Sequence, residues 1–356
     1  MDPDSGGREL VLPPAVQARL VRAAELYDDR AARLALPDPD NRRDPRAARY
    51  HRQARAESTR RAYLRWLQLF LDFCDKTQRR ELPATAATLE AFAVYLCQRP
   101  IDRGKNRGRQ GLAPNSIRQA LSAVRTYHRL HGENPPDTFM AAGVVDGYEV
   151  ERSRMPGNTD GKGVPGLRLP TLAAMFTVCD PATNAGARDR AVLSLGWAMM
   201  ARRSELTGLD VDHVRRVRTG VEVFVARSKT DQTGKGRTVA IPWKPELGDM
   251  CPATNTLAWV ALMAGLGMVD GPLLRAVDRH DHVNGSGVWA GPPGLRMAPS
   301  TVELVIARAA VRARVPGGDK LRGHSLRRGG ATDAYEGGAD ILSIARHGGW
   351  GERSPV

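Results

Sequence analysis

Residues 155–167, Met-Pro-Gly-Asn-Thr-Asp-Gly-Lys-Gly-Val-Pro-Gly-Leu, hold four glycines and two prolines, a composition that continues neither a helix nor a strand. The break falls near the middle of 356 residues, a length that suits two domains at about 150 residues each. Apolar residues must therefore be buried twice, once on each side of a linker at 155–168. The chain reads as an N-terminal extension (1–52), a helical domain (53–154), that linker, and a second domain (169–356).

Ahead of the linker the apolar period is helical. A helix over Ala15 to Leu36 would end at Pro37-Asp38-Pro39-Asp40 within the extension. Ser58 can cap a helix with Tyr63, Trp66, Leu67, Phe70, Leu71 and Cys74 on one face. A second helix, Thr85 to Gln98, turns Leu89, Phe92, Ala93 and Leu96 inward, and a third, Pro114 to Leu130, turns Ile117, Leu121, Val124 and His128 inward. With Thr138 to Arg152 as a fourth, short loops make a small bundle. Beyond the linker come helices over 170–179 and 186–206. A strand pair follows, Val221–Ala226 and Arg237–Pro242, around a turn holding Thr233-Gly234-Lys235-Gly236. Helical pattern then resumes, with a loop-rich break at 278–298. The expected class is mainly α with a small β-hairpin or sheet.

The balance of charge is strongly basic, +14 with a pI near 10.2, which favours a polyanion such as nucleic acid as partner. A basic surface that serves only solubility is the plainer reading. Between residues 42 and 65 nine arginines face only Asp44 and Glu57. Between the second and third helices lies Arg103-Gly104-Lys105-Asn106-Arg107-Gly108-Arg109, whose glycines let backbone approach a phosphate and whose cations can neutralise it. Either run can also be a solvated face. Four dispersed cysteines (Cys74, Cys97, Cys179, Cys251) form no Cys-x-x-Cys pair, which argues against a zinc ribbon or disulfide framework. No run of about 18 apolar residues occurs, and Met1-Asp2-Pro3-Asp4 does not open a signal peptide. The expectation is a cytoplasmic, nucleoid-associated protein with no membrane contact. Asp278-Arg279-His280-Asp281-His282 offers metal-ligand types, but in a polar loop exposure is the simpler explanation, so no metal or cofactor is expected.

Near the C-terminal end stands Gly323-His324-Ser325-Leu326-Arg327-Arg328-Gly329-Gly330, then Gly348-Gly349-Trp350. His324 and Arg327, three apart on a helix, can meet one anion. Upstream lie Arg202-Arg203-Ser204-Glu205-Leu206 and, after the first strand, Arg227-Ser228-Lys229-Thr230. Any one of these is weak alone, since Arg and Glu at helical spacing usually form a surface ion pair and a lone hairpin lysine usually guards an edge.

Their order and spacing together resemble the tyrosine recombinases, the phage-integrase family, over roughly residues 56 to 350. Tryptophan in the position of the second histidine is similar to the Cre-type branch. The resemblance implies a helical core-binding, SAM-like domain followed by a mixed α/β catalytic domain. It makes Arg202 and Arg327 the catalytic arginines, Glu205 their acidic companion, and Lys229 the general acid, with Lys235 the runner-up. His324 assists proton transfer or binds phosphate, and Trp350 donates its indole N–H to that phosphate. Arg103, Lys105, Arg107, Arg109, Lys235 and Arg237 are the expected DNA contacts. The implied partner is double-stranded DNA, with a dimer on each site and, if the C-terminal helix is restored, a tetramer in the synapse. The implied reaction cuts and rejoins DNA through a 3′-phosphotyrosyl link and a Holliday junction, without ATP.

The family's nucleophilic tyrosine follows the tryptophan position by roughly nine residues, which here lies past Val356. All seven tyrosines (Tyr27, Tyr50, Tyr63, Tyr95, Tyr127, Tyr148, Tyr335) precede Trp350, and none matches that position. The expectation is a C-terminally truncated catalytic domain that binds its site without cutting it and lacks the helix that neighbours exchange. A non-catalytic relative that occupies sites as a decoy or architectural factor is the alternative. A helix-turn-helix regulator would not need the arginine, lysine and histidine series.

Overall fold

A computed structural model describes residues 57–101, 110–155, 163–228, 235–289, 291 and 295–351. The chain divides into two compact units, residues 1–161 and 162–356.

In the first unit the described residues form four helices: α1 (Glu57–Thr77), α2 (Ala86–Gln98), α3 (Pro114–Leu130) and α4 (Phe139–Arg154). Ser58 is the second residue of α1 as described. α2 is capped by Thr85, whose Oγ1 accepts the Thr88 N–H at 3.1 Å, and α3 opens on Pro114, where a missing N–H costs nothing. One apolar cluster joins all four. Phe70 and Phe92 meet edge to face at 5.1 Å, while Ile117, Leu121 and Val124 enter from α3 and Ala141 and Val145 from α4. His128, on the apolar face of α3, is fully buried and structural. Its Nε2 accepts the Ala84 N–H at 2.8 Å and its Nδ1–H donates to the Val124 carbonyl at 2.9 Å, which fixes a neutral tautomer.

The second unit runs α5 (Leu169–Phe176), α6 (Asn184–Ala198), α7 (Arg203–Thr207), β1 (Val214–Val217), β2 (Gly220–Val225), β3 (Arg237–Pro242), α8 (Pro252–Gly265), α9 (Pro299–Arg312), α10 (Gly323–Glu336) and α11 (Ile341–Gly348). The expected strand pair is present, and β1 adds a third strand, giving an antiparallel sheet in the order β1-β2-β3 with Val223 opposite both Val214 and Val239. Alternation along β2 buries Val221, Val223 and Val225 on one face, against a core shared with α6 and α8.

One expected helix is two. The stretch 186–206 breaks after Ala198. Met200 takes a left-handed backbone (φ 50°), its N–H bonds to the Trp197 carbonyl, and the Ala201 N–H reaches back to Gly196. This is a Schellman closure with methionine where glycine is usual. The chain then re-enters α7 with Arg202 as its extended N-cap (φ −72°, ψ 147°).

The loop-rich stretch 278–298 is bound into the fold. Asp281 accepts the N–H groups of Asn184 and Ala185, both at 2.8 Å, at the start of α6. Asp278 accepts the backbone N–H groups of His280 and His282. The chain entering this unit lies along α10. The Leu167 N–H donates to the Ser325 carbonyl at 2.8 Å, and Arg328 donates to the Val164 carbonyl at 2.8 Å. Arg168 pairs with Asp333 and Glu336. A Cβ on Gly329 would stand 1.7 Å from the Leu167 carbonyl oxygen, and one on Gly330 would stand 2.1 Å from that of Trp197. Both glycines are there for backbone approach. Residues 163–168, read as linker from the sequence, thus pack on the helix that carries His324 and Arg327.

Candidate active site

Three guanidinium groups gather at the C-terminal end of α11. That end is where a helix leaves carbonyls unpaired and carries partial negative charge. Gly349 follows in the left-handed conformation (φ 66°), so the last carbonyls fan outward before the chain reaches Trp350. Arg237, the first residue of β3, donates to the carbonyls of His347 and, at 3.4 Å, Gly348. Arg327, one turn into α10, donates to Gly348 at 2.6 Å and to the Met200 carbonyl at 2.5 Å. Arg202 reaches the Gly349 carbonyl at 3.4 Å.

Glu205 supplies the only carboxylate in this group of bonds. Its side chain is 1% exposed; Oε1 takes Arg202 Nη1 at 2.5 Å, while Oε2 takes the Arg202 N–H at 3.2 Å and Arg237 Nη2 at 3.4 Å. The break after Ala198 makes this possible. On a continuous helix Arg202 and Glu205 would pair on an outer face, whereas here Arg202 caps α7 and Glu205 turns back under it.

Among the described residues, three cations against one carboxylate leave two surplus positive charges in a largely buried site. Arg327, 1% exposed, has its pKa pushed down to about 10, first by desolvation and then by Arg202 and Arg237, with Glu205 opposing. Desolvation also lowers Arg237, with Glu205 again opposing. Arg327 Nη2 is buried and has no hydrogen-bond partner among the described residues.

Trp350 closes one side. The Arg327 guanidinium lies 3.4 Å from its ring centroid, stacked rather than beside the indole N–H. A Cβ on Gly348 would stand 1.7 Å from ring atom Cζ3, so glycine there lets the tryptophan fold over the helix end. His324 stands exposed in the first turn of α10. Its pKa is lowered, first by desolvation and then by Arg327, Arg328 and Arg202, so it is neutral near pH 7.

The structure therefore brings Arg202, Glu205, Arg327 and Trp350 into one cluster with His324 at its rim. It adds Arg237, read from the sequence as a DNA contact, whose bonds instead go to Glu205 and the end of α11. Sequence could not assign that role, because Glu205 lies 32 residues away and the His347 and Gly348 carbonyls 110 and 111. Lys235 is exposed just before β3. Lys229 and the loop cations Arg103, Lys105, Arg107 and Arg109 lie outside the described residues, as does the extension 1–52. Asp210, Asp212 and His213 place possible ligand atoms close together, yet Asp210 is paired with Arg296 at 2.5 Å and His213 Nδ1 accepts the Asp210 N–H. No helix among the described residues is long and apolar enough to cross a membrane.

The profile of the phage integrase family matches residues 170–356, more than half of the chain. The chain belongs to that family. Its members similar to this chain include an integrase/recombinase XerD homolog of Selenomonas ruminantium, 26% identical over 85% of this chain and 80% of the relative. Tyrosine recombinase XerC of Ralstonia pickettii is 28% identical over 66% of this chain and 65% of its own. Among solved structures, XerH recombinase in a pre-cleavage complex with its difH substrate is similar in fold. It has a TM-score of 0.53 at 15% identity, covering 95% of this chain and 89% of that one.

Proposed function

We propose that this chain is a tyrosine site-specific recombinase whose second unit binds the phosphate to be cut at the Arg202–Arg327–Trp350 cluster. The observation that carries this reading is the buried Nη2 of Arg327, which has no hydrogen-bond partner among the described residues, in a cluster where three guanidiniums face one carboxylate. An anion with several oxygens is what such a donor lacks, and a phosphodiester passing through a dianionic transition state fits the surplus.

Arg202 and Arg327 neutralise the non-bridging oxygens as charge builds. Trp350 holds the plane of the Arg327 guanidinium from behind. Neutral His324 bonds the same phosphate at the rim. Lys229, or Lys235 in its place, protonates the departing 5′ oxygen from the β2–β3 hairpin. A tyrosine oxygen attacks phosphorus, forming a 3′-phosphotyrosyl bond as the 5′ oxygen leaves with that proton; the 5′ hydroxyl of the partner duplex then reverses the step. Two such exchanges pass through a Holliday junction in a tetramer built from dimers on each site. Residues 53–154 and the loop 103–109 grip the duplex. Tyr335 does not supply the nucleophile. It is 60% exposed and eight residues beyond Arg327 on α10, about 12 Å along the axis.

The test is a duplex site selected from random DNA, assayed for affinity and for a covalent 3′ adduct. In a chain extended past Val356 to supply a tyrosine about nine residues after Trp350, Arg202→Ala and Arg327→Ala each reduce adduct formation by about a hundredfold or more while changing affinity less than about tenfold. An adduct at the wild-type rate in either variant removes that arginine from the mechanism. The chain ending at Val356 binds its site without forming an adduct; tight, specific binding with no adduct in the extended chain favours the non-catalytic site occupant.

A further inference from the structure

Arg237 lies at the join of three parts of the second unit: the hairpin, as the first residue of β3; the α7 turn, through Glu205 Oε2 at 3.4 Å; and the end of α11, through the carbonyls of His347 and Gly348. Its side chain is one-fifth exposed, its Nε is buried with no partner among the described residues, and its Nη1 and Nη2 donate to the His347 carbonyl, Glu205 and the Gly348 carbonyl. A cation placed among Arg202 and Arg327 raises their mutual repulsion, so its presence calls for a compensating task.

Glu205 shows what that task is. A buried carboxylate has lone pairs for several donors and draws any guanidinium toward bidentate pairing. Here Arg202 Nη1 takes Oε1, and Arg237 takes part of Oε2. With Oε2 shared in this way, Glu205 does not fold both Arg202 nitrogens onto itself. Arg237 also draws together the carbonyls on either side of which Arg327 and Trp350 are set.

We propose that Arg237 is a positioning residue that divides the charge of Glu205 and anchors the end of α11, so that Arg202 and Arg327 present their free N–H groups to one phosphate. This rests on the phosphate-binding reading of the cluster. In this role Arg237 acts through Glu205, Arg202 and the α11 carbonyls.

The test follows the arginine Nε–H resonances of the full chain by 15N NMR while inorganic phosphate is added, with Arg327→Ala marking what belongs to the cluster. Arg237→Ala weakens the phosphate response of Arg202 and Arg327 about tenfold, because Glu205 now claims Arg202 in full. Adding Glu205→Gln to that variant returns the response to within about threefold of the parent, since a neutral amide no longer competes. A merely structural arginine behaves oppositely, because removing its partner as well repairs nothing. Arg237→Lys keeps a charge in the site and falls between parent and Arg237→Ala; paired with Glu205→Gln it repeats the comparison if Arg237→Ala does not fold. A double variant as weak as the single one overturns the proposal, as does an Arg237→Ala response equal to the parent. If Arg202 and Arg327 in the parent ignore phosphate, the phosphate site itself is refuted, and Arg237 has nothing to position.

Discussion

Alanine at position 329 should destabilise the second unit, although alanine is ordinarily the better helix former. Gly329 sits in α10, and a Cβ there would lie 1.7 Å from the Leu167 carbonyl oxygen and 2.3 and 2.8 Å from the Leu167 C and N. All three atoms are backbone, so no rotamer change relieves the overlap. The entering segment must lift. Lifting breaks the 2.8 Å bond from the Leu167 N–H to Ser325 and exposes a leucine that is fully buried. Uncovering that side chain costs about 1.5–3 kcal/mol, and the hydrogen bond adds about 1 kcal/mol. Improved helix propensity returns about 1 kcal/mol. The net loss is about 1.5–3 kcal/mol, or about 3–12 °C in Tm for a unit of this size. Gly265 in α8 provides the opposite case, because nothing lies within 4 Å of its Cβ position and its backbone angle is not one that excludes alanine. There the same substitution should raise Tm by about 1–4 °C. Both are read by thermal and urea unfolding. If Gly329→Ala is as stable as the parent, the packing of residues 163–169 on α10 is wrong.

Two further outcomes follow from buried polar groups. His128 is held neutral by accepting from Ala84 and donating to Val124, and burial lowers its pKa. A lowered histidine pKa means the unfolded chain binds the proton more readily. The stabilisation is therefore complete above about pH 6.5 and is lost as pH falls toward the folded value. Urea midpoints of the parent should drop between pH 7.5 and 5.5, and His128→Asn should flatten that slope; an unchanged slope refutes it. Asp281 caps α6 through two N–H groups from a distant loop, and its own φ of 67° suits Asn better than Ala. Asp281→Ala should cost about 1–2 kcal/mol and Asp281→Asn less than about 1 kcal/mol in unfolding free energy; equal losses would show that the cap is not what matters.

The helices of the first unit were legible because burial there follows the apolar period. Phe70, Leu89, Phe92, Ile117 and Val124 all lie where a 3.6-residue repeat puts them, and no distant partner changes their environment. The break after Ala198 was not legible. Ala-Met-Met-Ala carries no glycine or proline, and the left-handed Met200 is held by a tertiary partner, the Arg327 donor on its carbonyl. The motif residues Arg202, Glu205, Arg327 and Trp350 could be picked out by order and spacing, yet their mutual arrangement could not. Trp350 stacks on Arg327 because Gly348 leaves room for its ring. Arg237 joins because the register of β3 starts it beside Glu205. Gly329 and Gly330 stood out as a pair, but the carbonyls that require them belong to residues more than 130 positions earlier.

The same geometry bears on what the cluster can bind. With a pKa near 10, Arg327 still favours its protonated form at pH 7 by about a thousandfold, so loss of a proton does not relieve the repulsion among the three guanidiniums. Relief comes from Glu205 and from the carbonyl end of α11, and both are already shared out among Arg202, Arg237 and Arg327. A neutral ligand would leave the surplus in place. A lone carboxylate would balance only part of it and offers two oxygens to donors arriving from α7 and α10. A phosphodiester offers two non-bridging oxygens in the ground state, and its charge grows as a nucleophile adds. On the proposed reading the cluster would bind that changing group more tightly as it reacts, which is the property that separates catalysis from simple anion binding.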